Sequence, residues 1–305
     1  MTVKYIDRKS GQEKIEQIYG EAPLKFLYGN GLFNRVCLFL TTRMSWCSKF
    51  YGWWQKRGWT RQKILPFIEK YEINTIEFLH SPSSFTSFND FFCRKLKSDA
   101  RPIIAGDETA IIPADGRYLV YSNLEQCDGI CVKGKRFSLV KLLGSETLAR
   151  EYAQGGLVIA RLCPTDYHRF FFPVSCLPGR PKSIRGVLFS VNPIALLKNI
   201  HIFTENKRQI TELDQTPFGK VLFIEVGATN VGTIHQTYTP SKRTLKGEEK
   251  GYFSFGGSSI LILFPKGSIE FSDDLLKNSH QHLETYCKLG EPLGRVSIGN
   301  SLQNN

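Results

Sequence analysis

Gly251-Tyr-Phe-Ser-Phe-Gly-Gly-Ser-Ser-Ile-Leu-Ile-Leu-Phe264 sets a Gly-Gly-Ser-Ser element directly before five consecutive apolar residues. An apolar run of that length predicts a buried strand. The glycine pair lets the backbone adopt conformations closed to other residues and leaves a carbonyl open to attack, with Ser258 as the nucleophile at hand. Alone the element is weak. Gly144-Ser145 and Gly267-Ser268 are ordinary loop pairs, and a flexible turn before a buried strand accounts for Gly257-Ser258 as well. A hydrolase nucleophile elbow is disfavoured, because it needs Gly two residues after the Ser and position 260 is Ile.

The texture around this stretch is that of a β body. From about Ile103 onward, short apolar runs alternate with Gly, Pro and Asn, and Arg117–Tyr121, Leu157–Ala160, Val221–Val226 and Ile260–Phe264 read as strands. Ser138–Tyr152 reads as a helix capped by Ser138 and interrupted near Gly144, with another at Asn192–Lys198. The tail predicts a hairpin in which Ile260–Phe264 turns at Pro265-Lys-Gly into Ser268–Phe271. Upstream, Leu32 to about Leu79 reads as helical, interrupted near Pro66 and Asn74. The expected class is α+β: a helical N-terminal part over residues 1–87, then a mostly antiparallel β catalytic body over 88–305.

Composition narrows the partners. The 305 residues are 41% hydrophobic, ample for a core, and a formal net charge of +12 calls for an anionic partner. All four Trp lie between Trp46 and Trp59 among Arg35, Arg43, Lys49, Lys56, Arg57, Arg61 and Lys63. Indole favours the headgroup boundary and the cations favour anionic lipid, so this stretch suits a membrane surface; a packed aromatic subdomain with a solvated basic face is the plainer reading. No apolar run reaches the ~18 residues of a spanning helix. No nucleic-acid module is recognisable. The eight irregularly spaced Cys and the charged Met1–Gln12 suit reduced thiols in a cytoplasmic protein, and the Cys127/Cys131 pair has no matching partner for zinc, so no metal is expected.

Three further segments stand in order ahead of the Gly-Gly-Ser element: Pro113-Ala-Asp-Gly116, Leu162-Cys-Pro-Thr-Asp-Tyr-His-Arg-Phe-Phe-Phe-Pro173 and Phe189-Ser-Val-Asn-Pro193. Together with Phe88-Asn-Asp-Phe-Phe92, Arg94-Lys-Leu96, Phe203–Arg208 and Glu225–Gly232, they resemble the phosphatidylserine decarboxylase family from about Phe88 to Gly299. Physically, Asp115 is placed to orient and charge-stabilise an imidazole if paired with His168, as the acid of a triad does. His168, beside apolar aromatics, suits proton transfer, with His235 the second candidate.

The resemblance implies a proenzyme in which Asp115, His168 and Ser258 arrange attack on the Gly257–Ser258 bond. The products would be a β chain, 1–257, and an α chain, 258–305, whose Ser258 becomes a covalent pyruvoyl group. That group would hold the substrate amine as a Schiff base and take up electrons as carbon dioxide leaves, turning phosphatidylserine into phosphatidylethanolamine. His168 would protonate the carbanion, and Tyr167, Phe170, Phe171 and His235 are the expected substrate contacts. The implied partners are phosphatidylserine in an anionic membrane and a second copy in a homodimer, with no nucleic acid. The implied location is peripheral, on the cytoplasmic face of a bacterial inner membrane. An uncleaved, non-catalytic lipid-binding relative is the alternative. Two departures stand out. Ser259 replaces the usual Thr and keeps a hydroxyl, while Phe171 stands where many relatives carry a second His. Phenylalanine transfers no proton, which leaves open slow cleavage, recruitment of His168 or His235, or an uncut precursor.

Overall fold

A computed structural model describes residues 3–29, 31–34, 37–38, 52–125, 138–196, 201–228, 234–256 and 258–297. Gly257, Trp46, the Cys127/Cys131 pair and the basic residues 35, 43 and 49 lie outside these.

The Ser258–Phe264 strand is central. It is flanked on one side by Gly156–Leu162 and on the other by Gly219–Gly227, antiparallel to both. Its apolar run is continuous because both of its faces are covered. Ile260, Ile262 and Phe264 join one core with Val158, Ala160, Val221 and Phe223. Leu261 and Leu263 point the other way, into a second core with Leu157, Ile159, Leu222 and Ile224. The two-residue alternation of a strand is thus present but hidden. Each fully buried Ile, Leu or Phe contributes about 1.5–3 kcal/mol, so this strand anchors both cores.

Outward, the ten-stranded sheet runs from Ser258–Phe264 through Gly156–Leu162, Gly116–Tyr121 and Glu284–Cys287 to Lys4–Asp7 and Gln12–Ile15 at one edge. On the other side it runs through Gly219–Gly227 to Arg208–Thr216, which pairs with both Leu177–Pro178 and Lys182–Ile184. Pairing is antiparallel throughout except between Lys4–Asp7 and Glu284–Cys287. The second core is roofed by helices at Leu139–Leu143 and Glu146–Glu151. Ser138 and Ser145 cap them through Lys141 N–H and Leu148 N–H, and Gly144, at φ +63°, ends the first. The α+β class and the interruption at Gly144 match expectation.

Two expectations give way. The predicted hairpin after Phe264 does not form, because both edges of Ser258–Phe264 are already taken. Ile269–Phe271 leaves the main sheet and pairs with Pro292–Val296, which pairs with Thr109–Ile111. Within the N-terminal part expected to be helical, residues 4–15 form an exposed two-stranded edge of the main sheet instead. Helical turns follow at Gly58–Lys63 and Ile64–Lys70, where Ile64 and Phe67 pack into an aromatic cluster with Phe78, Phe85, Phe88, Phe91, Phe92 and Phe255. Among the described residues, Cys93, Cys163, Cys176 and Cys287 are free thiols.

Candidate active site

Ser258 opens the central strand opposite Leu162 on one side and Gly227 on the other, and is 0% exposed. Its Oγ has no hydrogen-bond partner among the described residues, nor has that of Ser259. Buried hydroxyls are ordinarily satisfied, which makes two orphans at one strand start unusual. The approach is held from outside the sheet. Gly256 takes φ +136°, a region closed to L side chains. The N–H of Phe255 donates to Asn89 Oδ1 at 3.0 Å, and the Phe255 ring packs on Phe88 and Phe92. The Phe88–Phe92 helix forms because Ser87 caps Asp90 N–H and Phe88, Phe91 and Phe92 are all buried. Its motif therefore acts as a clamp on the loop that leads into Ser258.

The same helix holds His168. The imidazole is 0% exposed and lies 4.0 Å from the Phe92 ring. Its Nδ1 is 3.0 Å from the Asp166 carbonyl. A carbonyl only accepts, so Nδ1 carries the proton and Nε2 presents its lone pair. Nε2 has no partner among the described residues. Burial, aided by Arg94, pushes the ring down to about 3 against the raising effect of the Asp166 and Gly256 backbone, so His168 is neutral at physiological pH. The His168 carbonyl accepts the N–H of Phe253 at 3.0 Å, which sets the residue beside the segment that leads into Ser258.

Asp115 is not hydrogen-bonded to this imidazole, contrary to the expected pairing. It takes a two-pronged contact from Arg101, with Nε at 2.9 Å and Nη2 at 2.6 Å, and accepts Leu289 N–H at 2.9 Å. The reason is local. Asp166 precedes His168 by two residues, and its own carbonyl captures Nδ1. The Phe171 backbone is what meets the Asp115 segment, through N–H donation to Pro113 O at 2.8 Å. The residue that departs from the common pattern thus stands two residues from Asp115 across this contact.

The other expected contacts divide. Tyr167 is buried, its hydroxyl pushed up to about 12 by burial, and it lines a cavity of about 290 Å³ together with Asp115 and Asp166. Phe171 is half-buried, 6.2 Å from the Tyr167 ring. Phe170, facing the opposite side of its short strand, sits in the core against Phe253 and Phe223. His235 pairs across from Tyr252 and stacks on it at 4.5 Å, while its Nε2 meets Ser254 Oγ at 3.0 Å, four residues ahead of Ser258.

Sequence reasoning missed the charges beneath the site. Arg161 binds both oxygens of Glu16 and reaches Glu284, and Arg117 donates to Asp166 at 2.6 Å. Burial raises the Glu16 carboxyl, yet Arg161 and Arg117 outweigh it and hold the group at about 2. A buried arginine has no local signature, since most are exposed. Only Arg94, within the quoted Arg94-Lys-Leu96 segment, carried a hint.

A family model described as Phosphatidylserine decarboxylase matches residues 88–295. The chain is 52% identical over 293 residues to the phosphatidylserine decarboxylase proenzyme of Chlamydia caviae, covering 96% of this chain and 98% of that one. It is 49% identical over 292 residues to the protein of the same name from Chlamydia pneumoniae, covering 96% and 97%. The proenzyme of Chlamydia trachomatis serovar D is 44% identical over 295 residues, covering 95% and 96%.

Proposed function

The chain belongs to the phosphatidylserine decarboxylase family, and we propose that it matures by breaking its own Gly257–Ser258 bond and then decarboxylates phosphatidylserine to phosphatidylethanolamine. The observation that carries this reading is the pair of buried, partnerless atoms, Ser258 Oγ and His168 Nε2, the second in a residue whose carbonyl accepts the N–H of Phe253, five residues ahead of Ser258. One is a hydroxyl with a proton to give and the other a lone pair with none to hold.

Ser258 Oγ adds to the Gly257 carbonyl carbon as His168 Nε2 takes its proton, and the acyl group passes from nitrogen to oxygen. Elimination across the Ser258 side chain then releases residues 1–257 with a C-terminal carboxylate. One water converts the remaining enamine nitrogen to ammonia and leaves a keto group at the head of residues 258–305. The orphaned hydroxyl at a strand start fits this conversion, because nothing in the sheet depends on it. Once formed, the pyruvoyl group supplies an electron sink for carbon dioxide loss. His168 Nε2 takes up a proton from the substrate's ammonium group as the amine is freed to react, and returns that proton where the carboxylate departed. Tyr167, Phe171 and His235 line the approach, and Asp115 fixes the floor through Arg101 and Leu289.

The lipid is met at the surface. No described helix is long and apolar enough to cross a membrane. Trp53, Trp54 and Trp59 are exposed, with Arg57 over the Trp53 ring at 3.9 Å, which supports residues 1–87 as the docking region on a bacterial cytoplasmic membrane face.

The mass of the small chain tests the reading. Purified protein should give a fragment beginning at residue 258 that is lighter by one ammonia than a serine-headed peptide of the same sequence. A chain that stays whole returns the protein to the class of non-catalytic lipid binders, and a serine-headed fragment removes the electron sink.

A further inference from the structure

The cavity beside Tyr167 is lined by Arg94, Arg101, Arg117 and Lys288. Three of these cations are matched. Arg101 binds Glu77 at 2.8 Å and Asp115 at 2.6 Å, Lys288 binds Glu77 at 3.2 Å, and Arg117 binds Asp166 at 2.6 Å. Arg94 is not. It is 5% exposed and bonds no carboxylate. Its Nη2 reaches the carbonyls of Thr165 and Asp166, each at a long 3.4 Å. Its Nε and Nη1 have no partner among the described residues, and its guanidinium lies 4.9 Å from the Phe91 ring. Burial pushes Arg94 down to about 10, so it is charged at neutral pH. Asp115 and Asp166 act on it only through space; a desolvated guanidinium with two unbonded nitrogens is costly, and an anion bonded to them would offset that cost.

Two neighbours say which anion. The Asp166 carbonyl that receives Arg94 also receives His168 Nδ1, so the cation stands one carbonyl away from the ring. Ile76 and Leu79, 78% and 48% exposed, flank in sequence the lining residues Glu77 and Phe78. A polar chamber opening beside an apolar edge suits an amphiphile rather than a free ion.

We propose that this cavity receives the phosphodiester of the serine phospholipid, with Arg94 as the side chain that binds it. The inference rests on the decarboxylase reading and deepens it. The phosphodiester is the better of the substrate's two anions for this role. It keeps its charge through the reaction, whereas the carboxylate leaves as neutral carbon dioxide, and a guanidinium bonded to it would stabilise the ground state and slow the loss. The planar fork of Arg suits two phosphate oxygens.

Calorimetric titration of the full-length Ser258→Ala chain tests this, since that chain stays uncut and binding is read without turnover. Glycerophosphoserine and glycerophosphoethanolamine should bind within a few-fold of one another, free serine should not, and Arg94→Met should weaken both by tenfold or more. Arg94→Lys, which keeps the charge but not the fork, should fall between, and it carries the test if Arg94→Met fails to fold. Unchanged affinity in the Arg94 variants overturns the proposal. So does binding of the serine but not the ethanolamine compound, which would make the carboxylate the recognised group. Inorganic phosphate binding as tightly as glycerophosphoserine would also overturn it, as a site for free phosphate. Failure of the maturation reading shows separately, as an intact mass of the unsubstituted protein.

Discussion

Around Arg161 each buried carboxylate meets a guanidinium: Glu16 takes two of its nitrogens, Glu284 a third, and Asp166 is held by Arg117. At the head of the central strand Ser258 Oγ and Ser259 Oγ, and in the connections at 168 and 94 His168 Nε2 and two nitrogens of Arg94, are equally buried and unpaired among the described residues. Ser259 pairs directly across from Arg161, so burial alone does not separate the two groups. Pairing does. The Arg161 group joins the N-terminal edge to the sheet, while the Ser258 group lacks the hydrogen bonds that buried polar atoms ordinarily make.

The sharpest way to break this contrast is Ser258→Ala. It should abolish the fragment at 258 on denaturing gels while leaving stability unharmed, or raising it by about 1 kcal/mol, because an unsatisfied hydroxyl is removed. A marked loss of stability would mean that the hydroxyl had a partner after all. Next is His168→Phe, which keeps the packing on Phe92 and loses the lone pair; a time course of cleavage should slow by about 100- to 10,000-fold.

On the paired side the expected change is in stability. Glu16→Gln removes the charge that Arg161 and Arg117 face, at a cost of roughly 3 kcal/mol near neutral pH. The Glu16 pKa falls from 4.5 to about 2 on folding, so its contribution is present above pH 4.5 and lost as pH drops through about 2. Denaturant melts of uncut chains in a pH series should therefore show parent and variant converging between those values, and a gap that persists below pH 2 would assign the loss to packing. The smallest effect lies outside both groups. Replacing Trp53 and Trp54 with Ser should weaken sedimentation with anionic vesicles by about tenfold, ~1.4 kcal/mol, with cleavage unaltered.

What the sequence carried was local. Ser138 and Gly144 announced their caps, the apolar run 260–264 announced a buried strand, and the ordered motifs announced the family. What it did not carry was which partner each segment finds. Ile269–Phe271 looked like the return arm of a hairpin because the prior occupation of both neighbouring edges is a long-range fact. Lys4–Asp7 is short, charged and half-exposed, with no alternation to betray an edge strand. At the site, Asp115 and His168 were paired on chemical grounds, yet Arg101, fourteen residues upstream of Asp115, and the Asp166 carbonyl were nearer. Complementary chemistry names candidates for a pair; only the chain path decides among them.

The placing of the last forty described residues has its own consequence. Ser258–Phe264 lies between two strands from earlier in the chain, and Glu284–Cys287 lies between Lys4–Asp7 and Gly116–Tyr121. Were the chain divided at 257/258 as proposed, the two pieces would be interleaved rather than docked, and neither could leave without dismantling the sheet. Unfolding would then scatter one protein into two solutes, and recovery would depend on their meeting. The folded product would owe its persistence to the slowness of its escape, with a memory of assembly that its separated parts no longer hold.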